Sequence, residues 1–190
     1  MSNWEMVVDD KKYSLKNYIN NNLTDKNTRH SYLDIYDKLF LPFKNEQITI
    51  LEIGVERGGS ILLWHNWFQK AIIFCIDLIA KPQIFNNLDR VIYIQGDAYS
   101  ETLVKIIPDH LDIAIDDGPH SIKSQKYFID KYLTKIQNNG LLIIEDVPSD
   151  HRYEILAKQF DYKFILSKYI GSKIKKAKDD RLLIAKRRNV

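Results

Sequence analysis

Two acidic segments and one histidine are the residues of this sequence best suited to chemistry. Asp-Asp-Gly-Pro-His occupies residues 116–120, and Glu-Asp occupies residues 145–146. Each segment directly follows a short apolar run typical of a buried strand. If those strands are parallel neighbours, Asp117, Glu145 and Asp146 converge on one point. Three carboxylates this close repel one another unless a cation lies between them, and an all-oxygen ligand set suits Mg²⁺.

Helix capping is the alternative explanation for these carboxylates. Asp116 and Asp117 precede one predicted helix, and Asp146 precedes another. Capping explains one or two of the carboxylates but not the cluster, so we interpret Asp117, Glu145 and Asp146 as metal ligands. His120 follows Asp117 by three residues. Because the unperturbed pKa of histidine suits the acceptance of a hydroxyl proton near neutral pH, His120 is the predicted general base.

A glycine-rich segment after the first predicted strand indicates a ligand-binding turn. Residues 51–60 read Leu-Glu-Ile-Gly-Val-Glu-Arg-Gly-Gly-Ser. Glycines at a strand-to-helix turn allow the backbone to approach a ligand closely, and the next helix offers unpaired amides to an anion. The spacing Gly-x-x-x-Gly-Gly-Ser lacks the full dinucleotide fingerprint, so a tight structural turn is the alternative.

The ends of the next two predicted strands support a ligand-binding role for the glycine-rich segment. Asp77 ends the second strand about 20 residues after the turn, where a carboxylate can accept both ribose hydroxyls. Residues 96–98, Gly-Asp-Ala, end the third strand and are suited to an adenine edge. The three strand ends predict an adenosine ligand, and NAD and S-adenosylmethionine both fit them. The candidate cofactor contacts are Glu52, Gly54, Glu56, Gly58, Ser60, Asp77, Asp97, Ala98 and Asp116.

An α/β sheet must position these residues. Seven short apolar runs predict strands at 48–53, 72–76, 91–95, 111–115, 141–144, 164–166 and 182–185. Helical patterns between them cover 60–68, 82–88, 100–107, 121–137 and 151–160. This alternation predicts a mainly parallel, doubly wound sheet. Because no helical pattern separates the last two runs, the seventh strand is predicted to return antiparallel beside the sixth, which is the Rossmann-like architecture of class I methyltransferases.

A helical extension precedes the predicted sheet. Residues 15–23 and 32–41 carry apolar side chains at helical spacing. We therefore divide the chain into an N-terminal helical extension over 1–44 and a cofactor-binding α/β domain over 45–190. The extension is predicted to pack on the sheet, and a lid over the site is the alternative.

Composition excludes several classes of protein. The 190 residues carry a net charge of +3, and the hydrophobic fraction of 45% is sufficient for a folded core. The single cysteine, Cys75, excludes a disulfide framework and a cysteine-based zinc site. No apolar run approaches the roughly 20 residues needed to span a bilayer, and no signal sequence is recognisable. These features predict a cytoplasmic protein with no membrane partner.

Positive charge is concentrated late in the sequence. From Lys168 onward there are nine basic and two acidic residues, a net charge of +7, whereas the rest of the chain carries −4. This imbalance predicts an anionic partner. Nucleic acid is the less favoured candidate because the stretch lacks the interleaved aromatic residues that stack on bases, and a solvated charge run is the alternative.

The chain resembles the macrocin O-methyltransferase family of metal-dependent sugar O-methyltransferases. The resemblance covers roughly residues 24–150 and is carried by the segments 24–26, 30–32, 51–55, 58–60, 115–120 and 140–146. Its specific part is Asp-Asp-Gly-x-His followed by Glu-Asp. The resemblance implies S-adenosylmethionine and Mg²⁺ as cofactors, Asp117, Glu145 and Asp146 as metal ligands, and His120 as the general base.

The same resemblance assigns parts of the cofactor to individual residues. It implies that Gly54, Glu56 and Ser60 lie along the methionine moiety, with Ser60 at its carboxylate. It further implies that Asp77 binds the ribose and that residues 97–98 contact the adenine.

Two departures limit what the resemblance implies. The first is Pro119, which stands where the family usually has Ser. The second is that the long N-terminal domain of the macrolide enzymes is missing, so we do not expect this chain to share their antibiotic substrates. The spacing from Asp117 to Glu145 also resembles the catechol and caffeoyl-CoA O-methyltransferases, which have Lys where this chain has His120. The histidine therefore favours the sugar branch.

These expectations combine into O-methylation of a sugar hydroxyl in glycan or natural-product biosynthesis. A nucleotide-linked sugar is the finer hypothesis, because the hairpin between the last two strands should place four lysines at the cofactor edge: Lys173, Lys175, Lys176 and Lys178. The alternatives are methylation of a catechol-like molecule or of RNA, and an inactive cofactor-binding subunit. Trp64 and Trp67 are interpreted as core residues, with a homo-oligomer interface as the alternative.

Overall fold

The computed structural model describes residues 14–171 and 180–189, which form one seven-stranded sheet with helices on both faces. The strands are β1 Thr49–Ile53, β2 Ile72–Asp77, β3 Val91–Gln95, β4 Leu111–Asp116, β5 Ile136–Val147, β6 Phe164–Ile170 and β7 Arg181–Arg187. The α-helices are α1 Leu33–Phe40, α2 Gly59–Trp67, α3 Glu101–Ile106, α4 Ile122–Tyr132 and α5 Asp150–Ala157. Short 3-10 helices cover Leu15–Asn17, Leu41–Phe43, Gln83–Asn87 and Leu133–Lys135.

The strand order is β3-β2-β1-β4-β5-β7-β6, and it confirms the predicted architecture. Strands β1 to β5 pair in parallel, whereas β7 pairs antiparallel with both β5 and β6. The reversed seventh strand therefore lies between β5 and β6. Because β1 to β5 run in one direction, their carboxyl ends share one edge of the sheet, where the predicted site residues were expected.

Three predicted elements differ from the observed ones. The patterns at 15–23 and 82–88 form only short 3-10 helices, Leu15–Asn17 and Gln83–Asn87. The helix predicted over 121–137 ends at Tyr132, and β5 begins at Ile136, five residues before the predicted strand. The register of β4 and β5 shifts between Leu111 and Ile113. Residues 137–140 form this irregularity. Their polar sequence is typical of a loop, so the sequence pattern did not predict the start of the strand.

The N-terminal helices pack on the same sheet face as α2. Tyr36 of α1 stacks on Phe40 with ring centroids 4.7 Å apart, and both rings make T-shaped contacts with Trp64. Trp64 and Trp67 are fully buried in this cluster. The opposite face is covered by α3, α4 and α5, which bury Val104, Phe128 and Leu156 among others. Residues 15–40 therefore share a core with the sheet, although the proposed boundary at 44 stays a prediction.

The helices of the described residues are all too short or too polar to cross a membrane.

Candidate functional site

A cavity of about 800 Å³ opens along the carboxyl edge of the sheet. Its walls come from the ends of β1 to β5 and from residues 23–25 of the N-terminal segment. Nine predicted site residues line it: Gly54, Glu56, Ser60, Asp77, Asp97, Ala98, Asp117, His120 and Asp146. The other four predicted residues, Glu52, Gly58, Asp116 and Glu145, lie outside this lining. One continuous space thus joins the predicted cofactor contacts to two of the predicted metal ligands.

The turn after β1, residues 54–59, is held by backbone geometry and by Asp77. Gly54 has a φ of +87°, and a Cβ atom there would lie 2.0 Å from the carbonyl oxygen of Asp117, so only glycine fits. Asp77 Oδ2 accepts hydrogen bonds from the amides of Val55 at 2.7 Å and Glu56 at 3.1 Å. Its Oδ1 accepts from Leu78 N at 2.6 Å. Asp77 therefore fixes the turn against the end of β2 while lining the cavity.

Two predicted cofactor contacts are buried behind the cavity wall. Glu52 is fully buried and accepts a hydrogen bond from Trp64 Nε1, and burial raises the pKa of Glu52 to about 7. Asp116 accepts a hydrogen bond from Tyr99 OH at 2.5 Å, and burial raises the pKa of Asp116 to about 6. Both carboxylates therefore lie beneath the residues that line the cavity, whereas Asp97 is itself part of the lining.

At the ends of β4 and β5 lies the acidic mouth, which we define as Asp117, His120 and Asp146. One potential ligand atom from each residue lies within 4.8 Å of the other two. His120 Nε2 is 3.6 Å from Asp146 Oδ2 and 4.0 Å from Asp117 Oδ1. Tyr32 OH donates a hydrogen bond to Asp146 Oδ1 at 2.7 Å. Burial, and then the charge of Asp117, raise the pKa of Asp146.

Glu145 is buried beside the acidic mouth and does not line the cavity. Its Oε1 accepts a hydrogen bond from Tyr36 OH at 2.6 Å, and its Oε2 accepts one from Lys26 Nζ at 2.6 Å. Burial raises the pKa of Glu145 well above its usual value. The structure therefore brings Asp117 and Asp146 together, while the role of Glu145 as a metal ligand stays a prediction.

The backbone of the acidic mouth is strained. His120 has a φ of +53° and Asp146 a φ of +54°, values that residues other than glycine rarely adopt. Such strain persists only where the surrounding contacts enforce it, and it concentrates at functional sites. Arg152 of α5 supplies one such contact, because its Nη1 donates to the carbonyl oxygen of His120 at 3.2 Å and to Gln125 Oε1 at 3.2 Å.

Four side chains near the mouth were not assigned a role from sequence: Lys26, His30, Tyr32 and Tyr36. Lys26 and His30 are each 1% exposed. His30 stacks on Tyr32, with ring centroids 4.5 Å apart, and its Nε2 is 3.7 Å from Asp146 Oδ1. The segments 24–26 and 30–32 carried the family resemblance, but nothing in the sequence paired them with residues about a hundred positions away.

The donor atoms of the acidic mouth fit a hard divalent cation. Two carboxylates, one from the loop after β4 and one from the end of β5, face one space at the cavity wall. Oxygen ligands with water or substrate oxygens suit Mg²⁺. Mg²⁺ prefers oxygen to nitrogen ligands, which leaves His120 available for proton transfer.

No protein-family model matches the chain. Among curated relatives, the mycinamicin VI 2''-O-methyltransferase of Micromonospora griseorubida is 31% identical over 128 residues, 62% of this chain and 32% of the relative. The 8-demethyl-8-alpha-L-rhamnosyl tetracenomycin-C 2'-O-methyltransferase of Streptomyces olivaceus is 25% identical over 138 residues, 67% of this chain and 36% of the relative. The chain thus spans about a third of the length of these relatives.

A comparison with solved structures also finds a methyltransferase of this kind. The MycE methyltransferase from the mycinamycin biosynthetic pathway, in complex with Mg, SAH and mycinamycin VI, superposes with a TM-score of 0.56 at 30% identity. The matched part covers 60% of this chain and 32% of that chain. The resemblance to macrocin-type sugar O-methyltransferases is therefore confirmed, and so is the class I methyltransferase fold.

Proposed function

We propose that this chain is an S-adenosylmethionine- and Mg²⁺-dependent O-methyltransferase that acts on a sugar hydroxyl. The observation that carries the proposal is the continuous cavity from the turn after β1 to the acidic mouth. A cofactor along β1 to β3 would have its reactive end near the carboxylates of β4 and β5. The relatives support the same activity, since their names describe O-methyltransferases of sugar-bearing natural products.

The residues of the cavity divide the proposed work between them. The turn at residues 54–59, Asp77 and residues 97–98 hold the cofactor, and Asp117 and Asp146 hold the cation. S-adenosylmethionine supplies an electrophilic methyl group, and Mg²⁺ orients and acidifies a bound hydroxyl. His120 Nε2 accepts the hydroxyl proton, and Asp146, at 3.6 Å, stabilises the imidazolium that results.

His120 is placed for this role by its backbone. Its ring stands at the cavity wall with 36% of the side chain exposed, so an acceptor hydroxyl can reach Nε2. Arg152 Nη1 donates a hydrogen bond to the backbone carbonyl oxygen of His120. This contact fixes the backbone from which the ring projects before the acceptor binds, and such positioning lowers the entropic part of the barrier.

The finer proposal is a nucleotide-linked sugar as acceptor. The four lysines that suggest it lie outside the described residues, but the strands that flank them are described. Gly171, after β6, accepts a hydrogen bond from Ser31 N at 3.2 Å, and Tyr169 OH donates to Ser31 O at 3.0 Å. Ser31 is next to Tyr32, which contacts Asp146. The β6–β7 connection therefore begins beside the acidic mouth.

Calorimetry and a methyl-transfer assay test the proposed function together. SAH should bind the protein with and without EDTA, whereas methylation of a panel of free and nucleotide-linked sugars, followed by mass spectrometry, should require a divalent cation. Re-addition of Mg²⁺ should restore transfer. Full transfer in excess EDTA contradicts the metal dependence, and failure to bind SAH contradicts the proposed function as a whole.

A charge-reversal pair tests the nucleotide-linked acceptor. Lys175→Glu with Lys176→Glu should raise KM for the nucleotide-linked sugar much more than KM for the free sugar, because only the former carries phosphates. Equal increases for both acceptors contradict this finer proposal and leave the sugar assignment standing.

A further inference from the structure

Two tyrosine hydroxyls from the start of α1 meet the two acids at the end of β5. Tyr32 OH donates a hydrogen bond to Asp146 Oδ1 at 2.7 Å, and Tyr36 OH donates one to Glu145 Oε1 at 2.6 Å. Tyr32 is the residue that caps α1, and Tyr36 lies one helical turn later. Residues four apart on a helix share one face, so a single face of α1 reaches both acids. We call Tyr32 and Tyr36 the tyrosine pair.

The rings of the tyrosine pair are held in place by packing. Both side chains are fully buried. Tyr32 stacks on His30 with ring centroids 4.5 Å apart, and it meets Tyr36 in a T-shaped contact at 6.4 Å. Tyr36 stacks on Phe40 at 4.7 Å and makes a T-shaped contact with Trp64 at 5.7 Å. Because close packing fixes each ring, each hydroxyl has a fixed place, and so does the carboxylate oxygen that accepts its hydrogen bond.

Each of the two acids has one oxygen that the tyrosine pair does not contact. For Asp146 this is Oδ2, which lies 3.6 Å from His120 Nε2 at the cavity wall. For Glu145 it is Oε2, which lies 2.6 Å from Lys26 Nζ, and the same ammonium lies 2.7 Å from Asp117 Oδ2. The second oxygens therefore face the other predicted residues of the site, directly in one case and through a lysine in the other.

Orientation of these carboxylates matters for the cation that the site is proposed to hold. Mg²⁺ demands near-ideal octahedral geometry, so a ligand carboxylate that can rotate binds it less well. Hydrogen bonds to a ligand carboxylate fix its orientation, and their loss typically lowers metal affinity by roughly tenfold to 100-fold. The contacts of the tyrosine pair have the form that such an orienting role requires, with one fixed donor for each acid.

We propose that the tyrosine pair positions Asp146 and Glu145 for a divalent cation bound at the acidic mouth. The inference rests on the proposed function and deepens it, since it adds an orienting hydroxyl to two of the three predicted ligands. It also makes the N-terminal extension a component of the metal site, because α1 and its capping residue supply both hydroxyls.

Binding of Mn²⁺, followed by electron paramagnetic resonance, tests the proposal without an activity assay. Tyr32→Phe and Tyr36→Phe keep the buried rings and remove only the hydroxyl groups. Each variant should bind Mn²⁺ roughly tenfold more weakly than the wild type. The zero-field splitting of bound Mn²⁺ should also change in both variants, because the ligand oxygens are held in a less uniform geometry.

Tyr132→Phe is the matched control. Tyr132 is also fully buried and donates a hydrogen bond at 2.7 Å, but its acceptor is the backbone carbonyl oxygen of Ala98 and not a carboxylate of the site. Loss of this bond should lower the melting temperature in EDTA, while Mn²⁺ affinity stays within about twofold of the wild type. A merely structural role for the tyrosine pair would give its two variants the same pattern.

The remaining results overturn the proposal in distinguishable ways. Mn²⁺ affinity within about twofold of the wild type in either Tyr32→Phe or Tyr36→Phe overturns it, and so does an equal loss of affinity in Tyr132→Phe. If a variant is unfolded in EDTA, saturating SAH stabilises its folded state, and the Mn²⁺ titrations of all variants are compared with SAH present. A wild-type protein that binds no Mn²⁺ contradicts the proposed metal dependence and this inference with it, whereas equal binding by wild type and variants contradicts the inference alone.

Discussion

The two sides of the cavity are held by different forces. At the ends of β1 and β2, the turn at residues 54–59 is fixed by backbone amides that donate to the single carboxylate of Asp77. At the ends of β4 and β5, the acidic mouth is fixed by buried charges and tyrosine hydroxyls from a distant part of the chain. The first side is adapted to hold a ligand through shape, and the second to concentrate charge at one point.

This difference predicts how substitutions on the two sides should behave. Changes to the turn should weaken cofactor binding and leave chemistry largely intact. Changes to the acidic mouth should leave cofactor binding intact and slow the chemical step, because in the proposed function the charges there act on the acceptor hydroxyl.

Replacement of the proposed base should have the largest effect. His120→Asn should lower turnover by about 10²- to 10⁴-fold, since a positioned general base contributes that much, while SAH affinity changes little. Asparagine tolerates the positive φ of this position, so the backbone should be retained. His110→Asn is the matched control, because His110 also has a positive φ, of +67°, and is exposed outside the cavity lining. Wild-type turnover in His120→Asn contradicts its role as base.

Loss of a mouth carboxylate should be the next largest effect. Asp146→Asn should lower turnover by about 10²- to 10³-fold, because it removes fixed charge at the place where the reaction develops charge. Steady-state kinetics should show the loss in kcat, with SAH affinity by calorimetry unchanged. The exposed Asp130→Asn in α4 serves as the control. A loss of SAH affinity equal to the loss of kcat would show that the two sides of the cavity are not separable.

Glu52, between the two sides, should make stability depend on pH. Its pKa is raised from 4.5 to about 7 in the folded protein, so the folded state binds more protons than the unfolded state between these values. Unfolding free energy should therefore fall as pH rises from about 4.5 to about 7, by roughly 3 kcal/mol from this group. Urea unfolding of Glu52→Gln should show a correspondingly smaller fall.

The exposed Glu154→Gln is the control for Glu52 and should retain the wild-type pH dependence. Identical pH profiles for the wild type and Glu52→Gln would show that Glu52 is ionised in the folded protein throughout this range.

The smallest effect is expected on the turn side. Asp77→Asn weakens the acceptors of the Val55 and Glu56 amides, so SAH should bind about tenfold more weakly, with kcat at saturating cofactor little changed. Isothermal titration with SAH measures this directly. A fall in kcat as large as that of Asp146→Asn would contradict the division of roles between the two sides.

Features that depend on neighbours in sequence could be predicted. The apolar runs identified all seven strands. Because parallel strands end at one edge of a sheet, the sequence also predicted a shared ligand site for the turn at residues 54–59, Asp77 and residues 97–98, and these line one cavity. The start of β5 was missed because polar residues 137–139 lie within the strand, at a register shift with β4.

Features that depend on distant partners could not be predicted. Lys26 contacts Asp117 and Glu145 across 91 and 119 residues of sequence, and Tyr36 contacts Glu145 across 109. Composition and spacing contain no signal for such pairs in a single sequence. The same limit applies to Glu145, whose buried contacts with Lys26 and Tyr36 the sequence does not reveal and whose role as a metal ligand stays a prediction.

The position of β7 sets the order in which a growing chain can complete its structure. Residues 181–187 insert between β5 and β6, and Arg181 pairs with Val147, the residue after Asp146. Until these residues leave the ribosome, β5 has an open edge, and the end of β5 that carries Asp146 lacks its neighbouring strand. We expect the nascent chain to assemble β1 to β4 first and the acidic mouth last, so premature release would yield a chain with a formed turn and an incomplete acidic mouth.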